Sequence, residues 1–215
     1  MRIAFIILFT CCNIYLQYVK VKQEEEIDSK NVNKSKIITA AKELVCSDTA
    51  LTFANLGRHL GTKSQAIYPY YSDVAAVHIA IANDFFQRLV SQLQQDLVGL
   101  AGEPAISQFA KTCRQLAAAE FPIVQLILNM PVATKRVGTL RESIDQVYHV
   151  LERLLAPFNQ DEAHQLVVSR MIRNLIIGEI VHEGTGRFQN PAMSAESSFN
   201  QMLALALTSF DTQSG

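Results

Sequence analysis

Thr52 to Tyr71 reads Thr-Phe-Ala-Asn-Leu-Gly-Arg-His-Leu-Gly-Thr-Lys-Ser-Gln-Ala-Ile-Tyr-Pro-Tyr-Tyr. The pattern predicts two short helices joined at Gly61, the layout of a helix-turn-helix. Thr52 suits the cap of the first, its hydroxyl accepting a free backbone N–H. Leu56 and Leu60, four residues apart, fall on one buried face. Gly61 stands where a sharp turn requires a positive φ. Thr62 is a second candidate cap, and Lys63, Ser64 and Gln65 surround the apolar Ala66 and Ile67. Short polar and cationic side chains at the start of a second helix match base edges and phosphates in a major groove. A solvated turn would carry the same three residues; the surrounding Thr-Leu-Gly-Ile-Tyr framework favours nucleic-acid contact.

Outward from this stretch, the charge is uneven. The 215-residue chain has a formal net charge of −1, so no global basic field marks a polyanionic partner. Between Lys30 and Tyr71, however, Lys30, Lys34, Lys36, Lys42, Arg58 and Lys63 face only Glu43 and Asp48. A small basic module on a neutral body is a modest electrostatic footprint. With 49% apolar residues the chain can bury a core in one or two domains.

Periodicity predicts helices throughout and no strands, an all-α fold. The first helix covers 34–46, with Ile37, Ile38, Ala41, Leu44 and Val45 as its apolar stripe. A long helix starts at Ser72 or Asp73 and runs to about Leu97. Leu97 to Pro104, with Gly99 and Gly102, reads as a hinge. Further helices are expected over 105–119, 121–130, 134–155, 160–183 and 195–210. Asn159 with Glu162 suggests a capping box, and Gly184 and Gly186 suggest the end of that helix.

Cys11, Cys12, Cys46 and Cys113 form no CxxC pair and no His-linked spacing, which argues against a disulfide framework or a zinc site. Cys46 and Cys113 lie in helical patterns and read as small core residues. His149, His164 and His182 are too scattered for a metal site. No nucleophile–base pair, phosphate loop or paired carboxylates stand at catalytic spacing, so neither an enzyme nor a cofactor is expected.

Residues 1–20 are mostly apolar and residues 21–33 polar, with Glu24, Glu25 and Glu26 in a run. The apolar stretch has three readings: a secretory signal without a clear cleavage site, a membrane anchor just short of a span, or upstream sequence translated from an early start. The third is favoured, with the natural protein beginning near Val21. The polar stretch reads as a mobile arm.

The arrangement resembles the TetR family of transcriptional regulators. The residues that carry the likeness are Ile38 and Ala41, Leu51-Thr52, Leu56-Gly57, Leu60-Gly61, then Ala66-Ile67-Tyr68, Tyr70-Tyr71 and Val77. A weaker likeness to the C-terminal ligand and dimer domain of one subgroup covers Gly178, His182-Glu183, Gly186, Phe188 and Ser198-Phe199. Two positions depart from the pattern: Tyr70 stands where the family usually has His, and Val74 where it often has Lys.

The resemblance implies a homodimeric, ligand-responsive DNA-binding regulator, most often a repressor, in the cytoplasm. It implies an N-terminal three-helix helix-turn-helix domain over 34–80 and a larger helical ligand-binding and dimerisation domain over 81–215, after the segment and arm of 1–33. Double-stranded operator DNA and a small-molecule effector are the expected partners. On this chain Thr62, Lys63, Ser64 and Gln65 go to base edges or nearby phosphates. Thr52, Tyr68 and Tyr70 go to the DNA backbone, with Lys34 and Lys36 nearby. Tyr68 fits a packing role equally well. Phe109, Cys113, Leu116 and Met130 fit ordinary helix packing or the wall of an effector pocket. His149 and Arg173 are the polar groups that would orient a ligand there. The helices over 160–183 and 195–210 are the candidate dimer faces. The rival reading is a membrane-tethered helical ligand-binding protein or regulator, with residues 1–20 as its anchor.

Overall fold

The computed structural model describes residues 32–131, 133–134, 138–158 and 161–208. The expectations for residues 1–31, the Asn159 cap and the end of the last helix beyond residue 208 lie outside them. Among the described residues there are eight α-helices and no strand. The chain divides into two compact units between Val77 and His78.

In the first unit, helix α1 is Lys34–Cys46, and its cap Asn33 accepts the Lys36 amide at 2.9 Å. Ile37, Ala40, Ala41 and Leu44 are buried, a single stripe at helical spacing. Cys46 is exposed, contrary to the expectation of a core thiol. It lies two residues past Leu44, about 200° further round the helix.

Helix α2 is Phe53–His59, capped as expected by Thr52, whose hydroxyl accepts the Asn55 amide at 3.1 Å. Phe53, Leu56 and Ile67 are buried. Removing side chains of this size from water favours the fold by about 1.5–3 kcal/mol each. Leu60 closes the helix and is only half-buried. Gly61 follows with φ +64°, the left-handed conformation that its lack of a Cβ permits.

The second short helix contracts to a 3₁₀ turn, Ser64–Ala66, followed by further turns to Tyr70. Pro69 explains the contraction. It has no N–H for the Gln65 carbonyl, and it disfavours helical backbone at Tyr68. Thr62 does not cap this turn. The position before it is Lys63, with no side-chain cap bond, while the Thr62 amide donates to the Gly57 carbonyl at 2.7 Å.

Helix α3, Val74–Asp96, starts at Asp73, whose carboxylate accepts the Ala76 amide at 2.8 Å. The division between the units falls inside this helix, after its first turn. The second unit continues with α4 Gly102–Ala119, α5 Phe121–Asn129, α6 Gly138–Leu155, α7 Glu162–Gly184 and α8 Ala195–Thr208. Leu97 to Pro104 is therefore no hinge between units but a turn within the second, with Gly99 and Gly102 both at positive φ.

Helix α4 packs on α6 and α7, and α7 in turn packs on α8. Ile106, Phe109, Leu140, Leu151, Ile172 and Phe199 are among the side chains closed off from solvent. Asp161 is the cap of α7; its carboxylate accepts the amides of Ala163 and His164. As expected, α7 ends at Gly184, with Thr185 as its cap and Gly186 beyond it at φ +68°. What requires a glycine there is α5: a Cβ on Gly184 would fall 2.3 Å from ring carbons of Phe121. Among the described residues no helix is long and apolar enough to cross a membrane.

Candidate functional site

Helix α2 and the 3₁₀ turn form one rigid element because their backbones nearly touch. Gly57 is buried, and a Cβ there would lie 2.9 Å from the Ser64 nitrogen and 3.0 Å from the Thr62 carbonyl oxygen. Leu56 and Ile67 fill the space beneath. The side chains on this platform keep their polar ends accessible: Thr52, Lys63 and Gln65 are exposed, Thr62 and Ser64 half-buried. Lys63 occupies the position before the turn and Gln65 its middle. Tyr68 is 58% exposed and sets its ring edge-on against Phe53, centroids 4.9 Å apart, so it combines a packed body with an accessible hydroxyl. Lys34, at the start of α1, is exposed, and Lys36 is half-buried.

Tyr70 is placed differently from the expectation of a phosphate donor. Its hydroxyl donates to the Val32 carbonyl at 2.6 Å. A phenol has one O–H, so that proton is already committed. Two further polar links brace the module. His59 Nε2 lies 2.5 Å from a carboxylate oxygen of Glu43, joining α2 to α1. Arg58 donates to Asn55 Oδ1 at 3.0 Å, while Asn55 donates to the Ala50 carbonyl. Arg58, in sequence only one of the basic charges, stands i, i+3 from Asn55, the spacing that brings two side chains together on a helix face.

None of the six effector candidates in the second unit lines either of the two clefts found among the described residues. Phe109, Cys113 and Met130 are buried and Leu116 is half-buried. Burial pushes the Cys113 thiol up to about 12, so it stays protonated and unreactive. His149 stands on the surface of α6, Nδ1 2.9 Å from Glu152. Arg173 lies over the Tyr148 ring at 4.8 Å and donates to the Ser169 carbonyl.

Open space occurs elsewhere in this unit. A cleft of about 240 Å³ is lined by Leu93, Gln94, Leu97, Val150, Arg153 and Leu154. A smaller polar cleft, about 110 Å³, lies beside Arg114 between α4 and α8. Behind it Arg114 donates to Glu183 at 2.8 Å and stands 3.5 Å from Glu179. The Glu179 side chain is fully buried, and no hydrogen bond reaches either of its oxygens among the described residues. Burial holds its carboxyl above the usual carboxylate range, and the like charge of Glu183 adds to this; the pull of Arg114 opposes both. Among the described residues no group of three side chains is arranged to hold a metal ion.

No protein-family model and no curated protein matches the chain. Solved structures do. FadR from Bacillus subtilis, a transcriptional regulator in complex with stearoyl-CoA, superposes with TM-score 0.66 at 13% identity, over 83% of this chain and 97% of its own. A TetR regulator from Streptomyces coelicolor gives TM-score 0.65 at 17% identity, over 84% and 98%. A TetR variant from Acinetobacter baumannii AYE, in complex with minocycline, gives 0.64 at 15% identity, over 86% and 99%. The chain has the TetR fold. The likeness runs through nearly the whole of each regulator, so the TetR fold accounts for the first unit and the helical body alike. At these identities it is a likeness of architecture, carried by the helix order and packing described above.

Proposed function

We propose that this chain is a ligand-responsive, DNA-binding transcriptional regulator of the TetR type, working as a cytoplasmic homodimer on a pseudo-palindromic operator, most simply as a repressor. One observation carries the reading: accessible Lys63 and Gln65 project from a 3₁₀ turn locked to α2 by the buried Gly57. A rigid platform with exposed donors is what groove recognition requires, since sequence is read by side chains held in register. Thr52, Thr62, Ser64 and Tyr68 complete the contact set, with Lys34 and Lys36 on the phosphate backbone.

The dimer face belongs to α7 and α8, where Leu166, Val167, Ile177, Met202 and Leu205 are exposed. Large apolar side chains left to solvent on neighbouring helices fit a four-helix contact across a two-fold axis. Effector response rests on the likeness to regulators solved with stearoyl-CoA and with minocycline. An effector shifts DNA affinity only by its differential affinity for two conformations. Helix α3, which begins in the first unit and continues in the second, is the covalent route between them.

The test is binding of the full chain to DNA from upstream of its own gene, across a salt series. Selective retardation that weakens steeply with salt is expected. Binding that is equal on unrelated DNA of the same length would overturn the reading.

A further inference from the structure

The C-terminal ends of α3 and α6 enclose the 240 Å³ cleft, whose walls are Leu93, Leu97, Val150 and Leu154. Its polar groups are Gln94 and Arg153, both exposed. Three arginines of this unit sit against carboxylates: Arg88 against Glu120 and Asp84, Arg114 against Glu183, Arg141 against Asp145. Arg153 makes no ion pair among the described residues, although Asp96 ends the helix that forms the opposite wall. Asp96 is committed elsewhere, accepting from Thr112 at 2.6 Å and from Gln92 at 2.8 Å. The result is an apolar slot with one guanidinium at its edge that no carboxylate among the described residues takes up.

We propose that this cleft binds an aliphatic carboxylate, with the hydrocarbon against the Leu and Val walls and the carboxylate on Arg153. The guanidinium matches a carboxylate with two parallel N–H bonds, and the Gln94 amide can supply a further donor. A single negative charge fits better than a phosphate dianion. Both helices present their C-termini here, where partial negative charge gathers, and one guanidinium is available to offset it. The inference deepens the effector part of the proposed function and rests on it for any regulatory meaning; the binding itself stands alone. Seated there, the ligand would wedge between α6 and α3.

Isothermal titration of the full chain with decanoate and with decanol, its uncharged counterpart, tests the assignment. Decanoate is expected to bind more tightly than decanol. Arg153→Gln should weaken decanoate about tenfold or more, the loss of one charge-assisted pair, and leave decanol unchanged. Leu154→Trp fills the slot and should weaken both ligands, with thermal melts confirming that each variant is folded. No binding of decanoate, or binding untouched by both substitutions, overturns the proposal. Operator retardation on the same ligand-free samples separates the two readings: its failure counts against the regulator while calorimetry still decides the cleft.

Discussion

A methyl group on Gly57 would sit 2.9 Å from the backbone nitrogen of Ser64. The atoms it meets, in Thr62, Lys63 and Ser64, are all backbone, so no side chain can swing aside. Gly57→Ala should therefore push the 3₁₀ turn away from α2, at a cost of about 1–3 kcal/mol, typical of overpacking. The expected result is a lower melting temperature and loss of operator binding together. A variant with unchanged melting and unchanged retardation would show that the turn is not held by this contact.

Lys63 and Gln65 should behave in the opposite way. Both are exposed, so alanine at either position should shift stability by no more than about 0.5 kcal/mol. Lys63→Ala should weaken binding to all DNA sequences and lower the salt-dependence slope by about 1, as for a lost phosphate contact. Gln65→Ala should cost about 1–3 kcal/mol on the operator and little on unrelated DNA, as for a lost base contact. Gel retardation at several salt concentrations separates them. Full operator affinity in the double variant would remove this turn from the interface.

Tyr70→Phe isolates the hydroxyl committed to Val32. It should cost about 1 kcal/mol of stability, an ordinary net hydrogen bond. Operator affinity should hold, because the only phenolic proton was already engaged within the protein. A salt-sensitive loss of DNA affinity would restore Tyr70 as a phosphate contact.

The all-α fold was legible because its signals are local. The Ile37, Ala41 and Leu44 stripe, the Thr52 cap and the Gly61 turn each depend on residues within one or two turns of helix. Even the contraction of the second helix was written in Pro69, whose missing N–H the periodicity overrode. What escaped needed partners distant in sequence. Gly184 ends its helix as read, but the ring of Phe121, 63 positions earlier, that also requires a glycine there is invisible in the local pattern. Tyr70 looks like a donor to DNA until the Val32 carbonyl takes its proton. The cleft escaped for the same reason, since Leu93 and Val150 are adjacent only once α3 and α6 are packed.

Glu179 gives a pH dependence whose sign follows from its burial. The carboxyl sits above its ordinary value near 4.5 in the folded chain, chiefly through loss of solvent. From about 4.5 upward the unfolded chain releases this proton while the folded chain still holds it. The folded state then binds more protons, so stability falls as pH rises through that window. Glutamine keeps the shape and cannot ionise, and Arg114 retains Glu183 at 2.8 Å. Glu179→Gln should therefore match the parent near pH 4.5 and exceed it at pH 8, where only the parent must ionise a buried carboxyl. Urea unfolding of both proteins from pH 4.5 to 8 measures the difference. Parallel curves would mean that Arg114 already compensates the ionised Glu179, and a parent more stable at pH 8 would make the pair a net stabilising ion pair.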